Sequence, residues 1–244
     1  MDFSINQRAL AMVEEGILPH QEQLQVRAHT LANGATVIDM GVEEKAGWRA
    51  GKLFTESCLG GLGRLDFTTM WIGEHLVPAA TITVDRPAVA ELSCHDAIYV
   101  MNYHGVRTTF SGPFRAIGGM DAYARATPYR DPCTARAVAH LQTTELPGEE
   151  MTTQLAGEIG IDPSGLYLLA ARTGTLAGAV QVCARNVEQT FPTLLDRGFN
   201  TDCVVQASGS APIFGAVADE YVAYGRVNDC LIYGQETNLW VDCT

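Results

Sequence analysis

The sequence predicts an α+β fold built of mixed α/β layers, and three observations carry that prediction. Short β-rich runs alternate along the chain with segments of helical periodicity. No low-complexity linker and no repeat of solenoid length interrupts them. The 244 residues are enough for one large domain or two small ones with real cores.

The elements follow in order. Residues from Ser4 to about Gln25 have helical periodicity and a polar far face. The turn pair Asn33–Gly34 leads into a strand, "ATVIDMGV" (35–42). "KAGWRAGKLFTESCLGGLGRL" joins a helical stretch to a glycine cluster. "DFTTMWI" (66–72) and "LVPAATITV" (76–84), split at Gly73–Glu74, predict a hairpin. "AIYVMNYH" (97–104) predicts a further strand, and "FSGPFRAIGG" (110–119) a loop leading into a short helix. "TARAVAHLQTTELP" (134–147) holds a strand or a buried helix, which periodicity alone does not separate. "GEEMTTQLAGEIG" (148–160) predicts a helix with acids in its first turn, where the helix dipole favours them.

"GLYLLAAR" (165–172) reads as a buried strand, and "TGTLAGAVQVCARNVEQTF" (173–191) as a loop entering a long helix. Pro192 is expected to kink or end that helix just after Glu188. "DCVVQAS" (202–208) predicts a strand, "AVADEYVAYG" (216–225) a helix, and "CLIYGQETNLWVD" (230–242) closing β structure. Pro128 and Pro132 mark a soft boundary that divides residues 1–127 from 128–244.

Composition excludes several functions. A net charge of −12 disfavours nucleic acid as a ligand, because phosphate neutralisation needs basic surface. No apolar run is long enough to cross a bilayer, and "MDFSINQRALAMVEEG" lacks a basic stretch before an apolar core. These features predict a soluble, cytoplasmic protein. Seven cysteines, an odd count without CxxC spacing, predict buried free thiols rather than disulfides or a zinc knuckle. The histidines show no HExxH or paired spacing, so no metal is expected.

The helix at 176–191 is the richest segment. On a helical wheel Val180, Ala184, Val187, Phe191 and Leu195 form one stripe, with Gln181, Arg185 and Glu188 clustered at its edge. Arg185 and Glu188 are three apart and can touch. Two readings fit: a surface ion pair of little energetic weight, or a working site. The small neighbours Gly178, Ala179 and Ala184 would admit a ligand. Thr173 and Thr175 in the preceding loop would cap the helix or hold an anion at its N-terminus.

Other candidates carry plainer readings. His95–Asp96 is read as a polar strand edge ahead of a replacement acid/base pair, because adjacent strand residues point apart. Cys58 becomes a nucleophile only with a base beside it. Arg115 grips an anionic group or a helix C-terminal carbonyl. Asn228–Asp229 makes an Asx turn or a substrate contact. Trp48, Trp71 and Trp240 are assigned to core or interface.

The run "TGTLAGAVQVCARNVEQT" resembles the signature of the methenyltetrahydromethanopterin cyclohydrolases, which carry T-x-S/T, a glycine, a Gln and Arg-x-x-Glu on one helix. "NGATVIDMGV", "AGKLFTESCLGGLG", "DRPAVAELS", "SGPFRAI", "GSAPIFG" and "GRVNDCLIYG" resemble further family segments, in family order from about Leu31 to Val241. The resemblance implies two similar α+β domains with the active-site cleft between them, usually in a homotrimer, with no metal and no cofactor. The family's reaction adds water to a methenyl bridge between two nitrogens of a reduced pterin and leaves an N-formyl group. Carried over, Glu188 is the acid/base and Arg185 holds and charge-balances it. Ser111, Gly112, Pro113, Arg115, Gln181, Asn228 and Asp229 then bind substrate, together with Thr173, Thr175 and the Gly60–Gly61 turn.

The departures shape the functional expectation. The family's S-Q-x-A-G-W stretch stands here as "SCHDAI", with Cys94, His95 and Asp96. Arg172, Gly215 and Val227 replace a Pro, a Pro and a Thr of the pattern, and family chains run further past the last matching segment. Ring opening by water is ring closing by dehydration run backwards, on the same residues. The leading expectation is therefore dehydrative closure of an N-formyl amide, free or on a carrier protein, to an oxazole-type ring. Hydrolysis of methenyl-tetrahydromethanopterin to the 5-formyl form is the alternative, and a non-catalytic paralogue the third.

Overall fold

A computed structural model describes residues 3–242. The N-terminal helical stretch is segmented. Helix α1 (Ile5–Ala11) is capped by Ser4, whose hydroxyl accepts from the Gln7 N–H at 3.0 Å. A π-helical turn and a 3₁₀ turn follow, then α2 (Gln21–Leu24), closed by Gln25 in the left-handed region. The predicted Asn33–Gly34 turn joins β1 (Arg27–Thr30) to β2 (Thr36–Asp39) as an antiparallel pair.

Helix α3 (Trp48–Cys58) precedes the long hairpin of β3 (Gly63–Ile72) and β4 (His75–Asp85), whose register centres on the predicted turn. A π-helical segment, Ala88–His95, comes next and is buried throughout. After it run β5 (Tyr99–Tyr103), β6 (Val106–Ser111), a 3₁₀ turn (Pro113–Ala116) and α4 (Ala122–Ala126). The ambiguous 134–147 stretch resolves as a strand, β7 (Ala137–Gln142), followed by α5 (Glu149–Ile159) and β8 (Leu166–Ala171). Helix α6 (Leu176–Cys183), α7 (Thr190–Asp196), β9 (Val204–Pro212), α8 (Glu220–Gly234) and β10 (Glu236–Val241) complete the chain.

Two sheets result, so the α+β prediction stands. The first has the order β1-β2-β8-β7-β6-β5, with β2, β8 and β7 parallel and the remaining pairs antiparallel. The second, β10-β9-β4-β3, is wholly antiparallel. Each sheet draws strands from both sides of residue 127, so a cut at 127/128 passes through both. One face of the first sheet packs on α1, α3 and Ala177 of α6, the other on α5. The second sheet shares a core with the π-helical segment, α6, α7 and α8. Helix α6 thus bridges two cores. It lies close on α3, where a Cβ on Gly51 would meet the Val180 side chain at 2.7 Å.

Three sequence expectations change. "CLIYG" belongs to α8 rather than to closing β structure, because Leu231 continues the buried helical stripe of Ala223 and Val227. The tryptophans are not core: Trp71 and Trp240 stand on the second sheet with half or more of their surface exposed, and Trp48 packs edge-on against Phe67. Residues 88–95, including His95, are helical, so the strand-edge argument does not apply to them. Cys58, Cys94, Cys133, Cys183 and Cys230 are free thiols, with Cys58, Cys94 and Cys183 buried; Cys243 lies outside the described residues. Among the described residues no helix is long and apolar enough to cross a membrane.

Candidate functional site

The segment 176–191 is not one long helix. Helix α6 ends at Cys183, a 3₁₀ turn covers Ala184–Asn186, and Arg185 leaves helical geometry (φ −81°, ψ 18°). Helix α7 then starts at Thr190, with Pro192 in its first turn, where a missing N–H costs nothing. The break therefore falls at Arg185, ahead of Glu188, and Pro192 does not cause it.

This break opens onto a cavity of about 400 Å³. Its walls come from α6 and the turn after it (Gln181, Arg185, Glu188), the ends of β6 and β7 (Ser111, His140, Gln142), the end of the π-helical segment (Asp96) and α8 (Tyr224, Asn228). The site thus lies by the carboxyl end of β7, a strand of the parallel trio, where open α/β sheets commonly bind ligands. Gln181 is 1% exposed and Glu188 7%, which removes the surface ion-pair reading.

Arg185 and Glu188 are only loosely paired, with Nη1 to Oε2 at 3.9 Å. The guanidinium is held instead by the His95 carbonyl and, at 3.3 Å, by the Ser111 hydroxyl. Glu188 and Asp96 share the cavity wall, where their carboxyls act on one another. Burial, followed by the Asp96 charge, pushes the Glu188 carboxyl up to about 8, with Arg185 opposing. Burial also raises the Asp96 carboxyl, against the pull of Arg115.

Behind the wall sits a layer of uncharged polar groups. Glu91 and His95 meet at 2.9 Å inside the protein. Burial lifts the Glu91 carboxyl well above its usual range and drops the His95 imidazole well below its own, so the contact is a neutral hydrogen bond rather than an ion pair. His140, held down to about 3 by burial, hydrogen-bonds Ser57 at 2.9 Å. Cys58 donates to Ser111 at 3.3 Å, and burial pushes its thiol up to about 11, which removes it as a nucleophile.

The sequence-derived candidates scatter around this centre. Gln181, Arg185, Glu188, Ser111 and Asn228 line the cavity. Gln181 donates to Gln142 at 3.3 Å, and Gln142 donates to Thr173, so Thr173 supports the wall from outside. Thr175 caps α6, accepting from the Gly178 N–H at 3.2 Å. The anion expected at that helix start is internal: the Glu220 carboxylate accepts from the N–H groups of Thr173 and Gly174 and from the Arg172 guanidinium.

The remaining candidates lie away from the cavity. Gly112 (φ 120°) turns the chain against His140, and the Pro113 carbonyl accepts from Asn6. Arg115 is wholly buried, bidentate on Asp121 at 2.7 and 2.8 Å, and donates to the carbonyls of Leu92, Cys94 and Asp96. The carbonyl-gripping reading of Arg115 is thereby observed. Asn228 and Asp229 sit mid-helix in α8 and make no Asx turn; Asp229 borders a separate groove with Phe214 and Cys230. Gly60 and Gly61 pack on Ile5 and Arg8 of α1.

His140, Gln142 and Tyr224 were missed, and Asp96 was set aside with His95 as a strand edge. His140 and Gln142 carried a signal, because alternate residues of a buried strand share one face. Asp96 was visible as a titratable residue, but its place in the cavity wall beside Glu188 depends on the fold.

A family model described as Cyclohydrolase (MCH) matches residues 4–244. The chain is 36% identical over 242 residues to a methenyltetrahydromethanopterin cyclohydrolase of Methanocella arvoryzae, covering 98% of this chain and 76% of that protein. The enzymes of the same name from Methanococcus maripaludis and Halobacterium salinarum are 34% and 33% identical, again over 98% of this chain and 75% and 76% of theirs.

Proposed function

From the premise that this chain belongs to the cyclohydrolase (MCH) family, matched over residues 4–244, we propose that it hydrolyses the methenyl bridge of methenyl-tetrahydromethanopterin, with Glu188 as acid/base. The relatives' shared name supports this alternative over the dehydrative ring closure that led the sequence reading.

The observation that carries the proposal is a buried carboxyl titrating near neutrality, about 8, in a cavity whose guanidinium is only loosely paired with it. A methenyl carbon between two nitrogens is a cationic amidinium. A cation bound against Glu188 favours the carboxylate, so substrate itself generates the base. The carboxylate takes a proton from water as oxygen bonds to the methenyl carbon, and the C=N electron pair moves onto nitrogen. The carbinolamine then collapses: Glu188 returns a proton to the leaving nitrogen as the C–N bond breaks, and the vacated carboxylate takes the hydroxyl proton as the formyl C=O forms. The neutral product no longer holds Glu188 ionised. Gln181, Gln142, Ser111 and Asn228 offer uncharged donors and acceptors for the heterocycle.

The test follows the loss of methenyl-pterin absorbance. Wild-type protein clears it, and Glu188→Gln lowers kcat by about 10²- to 10⁴-fold. An unchanged rate in that variant overturns the assignment.

A second reading, dehydrative closure of an N-formyl amide, has one observation in its favour. With a neutral substrate Glu188 still holds its proton at neutral pH, and water departure needs an acid. Loss of one water from an N-formyl amide, with no effect on the methenyl-pterin, would select it.

A further inference from the structure

We propose that Asp96 is a second reacting carboxyl, holding one proton jointly with Glu188 and working with it as a single acid/base unit at the carbon that gains or loses water. The inference deepens the reading of Glu188 above and rests on it.

Four observations carry it. Asp96 and Glu188 line one cavity, and their carboxyls lie close enough to shift one another's ionisation, Asp96 holding Glu188 up. Asp96 is 8% exposed, and its Oδ2 is fully enclosed with no protein partner, an orphan acceptor beside a reaction cavity. Its backbone is clamped, the carbonyl by Arg115 at 2.8 Å and the N–H by the Glu91 carbonyl at 3.0 Å, so the backbone holds the carboxyl beside Glu188. The cation nearest Glu188 lies 3.9 Å away, with its hydrogen bonds committed to His95 and Ser111. A guanidinium at 3.9 Å and an Arg115 already bound to Asp121 leave two adjacent buried carboxylates under-compensated, whereas a shared proton relieves them.

The charged and titratable groups facing the pair act in both directions. Arg185 and Arg115 favour ionisation; Asp121 at the start of α4 opposes it, as Glu91 from the π-helical segment does when ionised; Tyr123 feels the charge of both carboxyls. Arg115 is already committed to Asp121.

The proton count closes. The resting pair holds one proton. Water attacks the amidinium carbon, the C–O bond forms, and the ionised member takes the water's proton, so the pair holds two. One passes to the leaving nitrogen as the C–N bond breaks, and the vacated carboxylate takes the hydroxyl proton as C=O forms. The pair again holds two and releases one to solvent, matching amidinium cation plus water going to formamide, amine and one proton. Glu188 alone would have to donate and accept in succession at two atoms; the pair presents an acid and a base together.

The experiment combines a titration with kinetics on the full chain. Protein carrying ¹³C-carboxyl Asp and Glu is titrated by NMR as wild type, Asp96→Asn and Glu188→Gln. The Glu188 carbon, identified by its loss in Glu188→Gln, titrates near pH 8 in wild type. In Asp96→Asn that midpoint falls by about one pH unit or more, because an amide donor replaces a competing carboxylate. A Glu188 midpoint unchanged in Asp96→Asn overturns the proposal. With methenyl-tetrahydromethanopterin, Asp96→Asn lowers kcat by about 100-fold and leaves KM within about threefold; full kcat in that variant also overturns it. Wild-type protein inert toward this substrate removes the substrate reading alone, and the titration still decides the carboxyl pair.

Discussion

Replacing Glu188 by glutamine changes how stability depends on pH, in a direction fixed by burial. The folded carboxyl titrates near 8, against 4.5 for an ordinary glutamate. Below the lower value both folded and unfolded chains hold the proton, and the group's contribution is fully present. As pH rises through the window the unfolded chain ionises first, and that contribution is lost by the time the folded group titrates. Each pH unit inside the window costs about 1.4 kcal/mol at full slope, and coupling to Asp96 trims the total to on the order of 3 kcal/mol. Glu188→Gln has no such loss. It should match wild type near pH 5 and exceed it by about 2–4 kcal/mol at pH 8 to 9. The buried His95 and His140, whose imidazoles are held below their usual range, act with opposite sign: their contribution is lost as pH falls through the ordinary histidine value. Both proteins share that acid-side loss, so it cancels in the difference. The assay is urea unfolding of both proteins at half-unit steps from pH 5 to 9. Parallel stability curves would refute the buried, proton-holding Glu188.

Two further substitutions probe the frame of the site. Arg115→Met leaves Asp121 without its bidentate partner and frees the Leu92, Cys94 and Asp96 carbonyls, so urea midpoints should report a loss of about 3–5 kcal/mol; a near-neutral effect would return Arg115 to a substrate-gripping role. Gly112→Ala places a Cβ 2.7 Å from His140 Nδ1 and 2.9 Å from the Val138 carbonyl, at a φ of 120°. The expected loss is about 2–4 kcal/mol, read from thermal melts, with reduced turnover because Ser111 shifts with it.

What the sequence revealed depended on how local each cause is. The β3–β4 hairpin was legible because alternation and a two-residue turn are local signals, and the register centres there. The buried strand at 137–142 was ambiguous until β8 and β6 paired on either side of it. "CLIYG" misled because its β-branched and aromatic residues sit on a helix whose buried stripe begins seven residues earlier, at Ala223. In the site, the Arg185–Glu188 spacing was visible, but the wheel presumed an unbroken helix. The break at Arg185 has tertiary causes: Thr237 of β10 takes the Asn186 carbonyl at 2.7 Å, and Gly209 of β9 leaves room for the Asn186 side chain. Neither contact is written near residue 185. Arg115 illustrates the same limit, since its four partner residues span Leu92 to Asp121.

That break decides the chemistry of the carboxyl. On a continuous helix, residues three apart would hold Arg185 and Glu188 side by side, and a close guanidinium would keep the carboxylate ionised at every working pH. Leaving helical geometry at Arg185 accompanies a different arrangement: its guanidinium reaches the His95 carbonyl and Ser111, while Glu188 meets Asp96. The cation is retained at 3.9 Å, near enough to temper the carboxyl and too far to pin it. A proton is therefore held where the proposed hydrolysis must both donate and accept one. Arg115 completes the arrangement from behind by fixing the backbone of residue 96, which makes the buried Arg115–Asp121 pair a support for proton transfer as well as for folding.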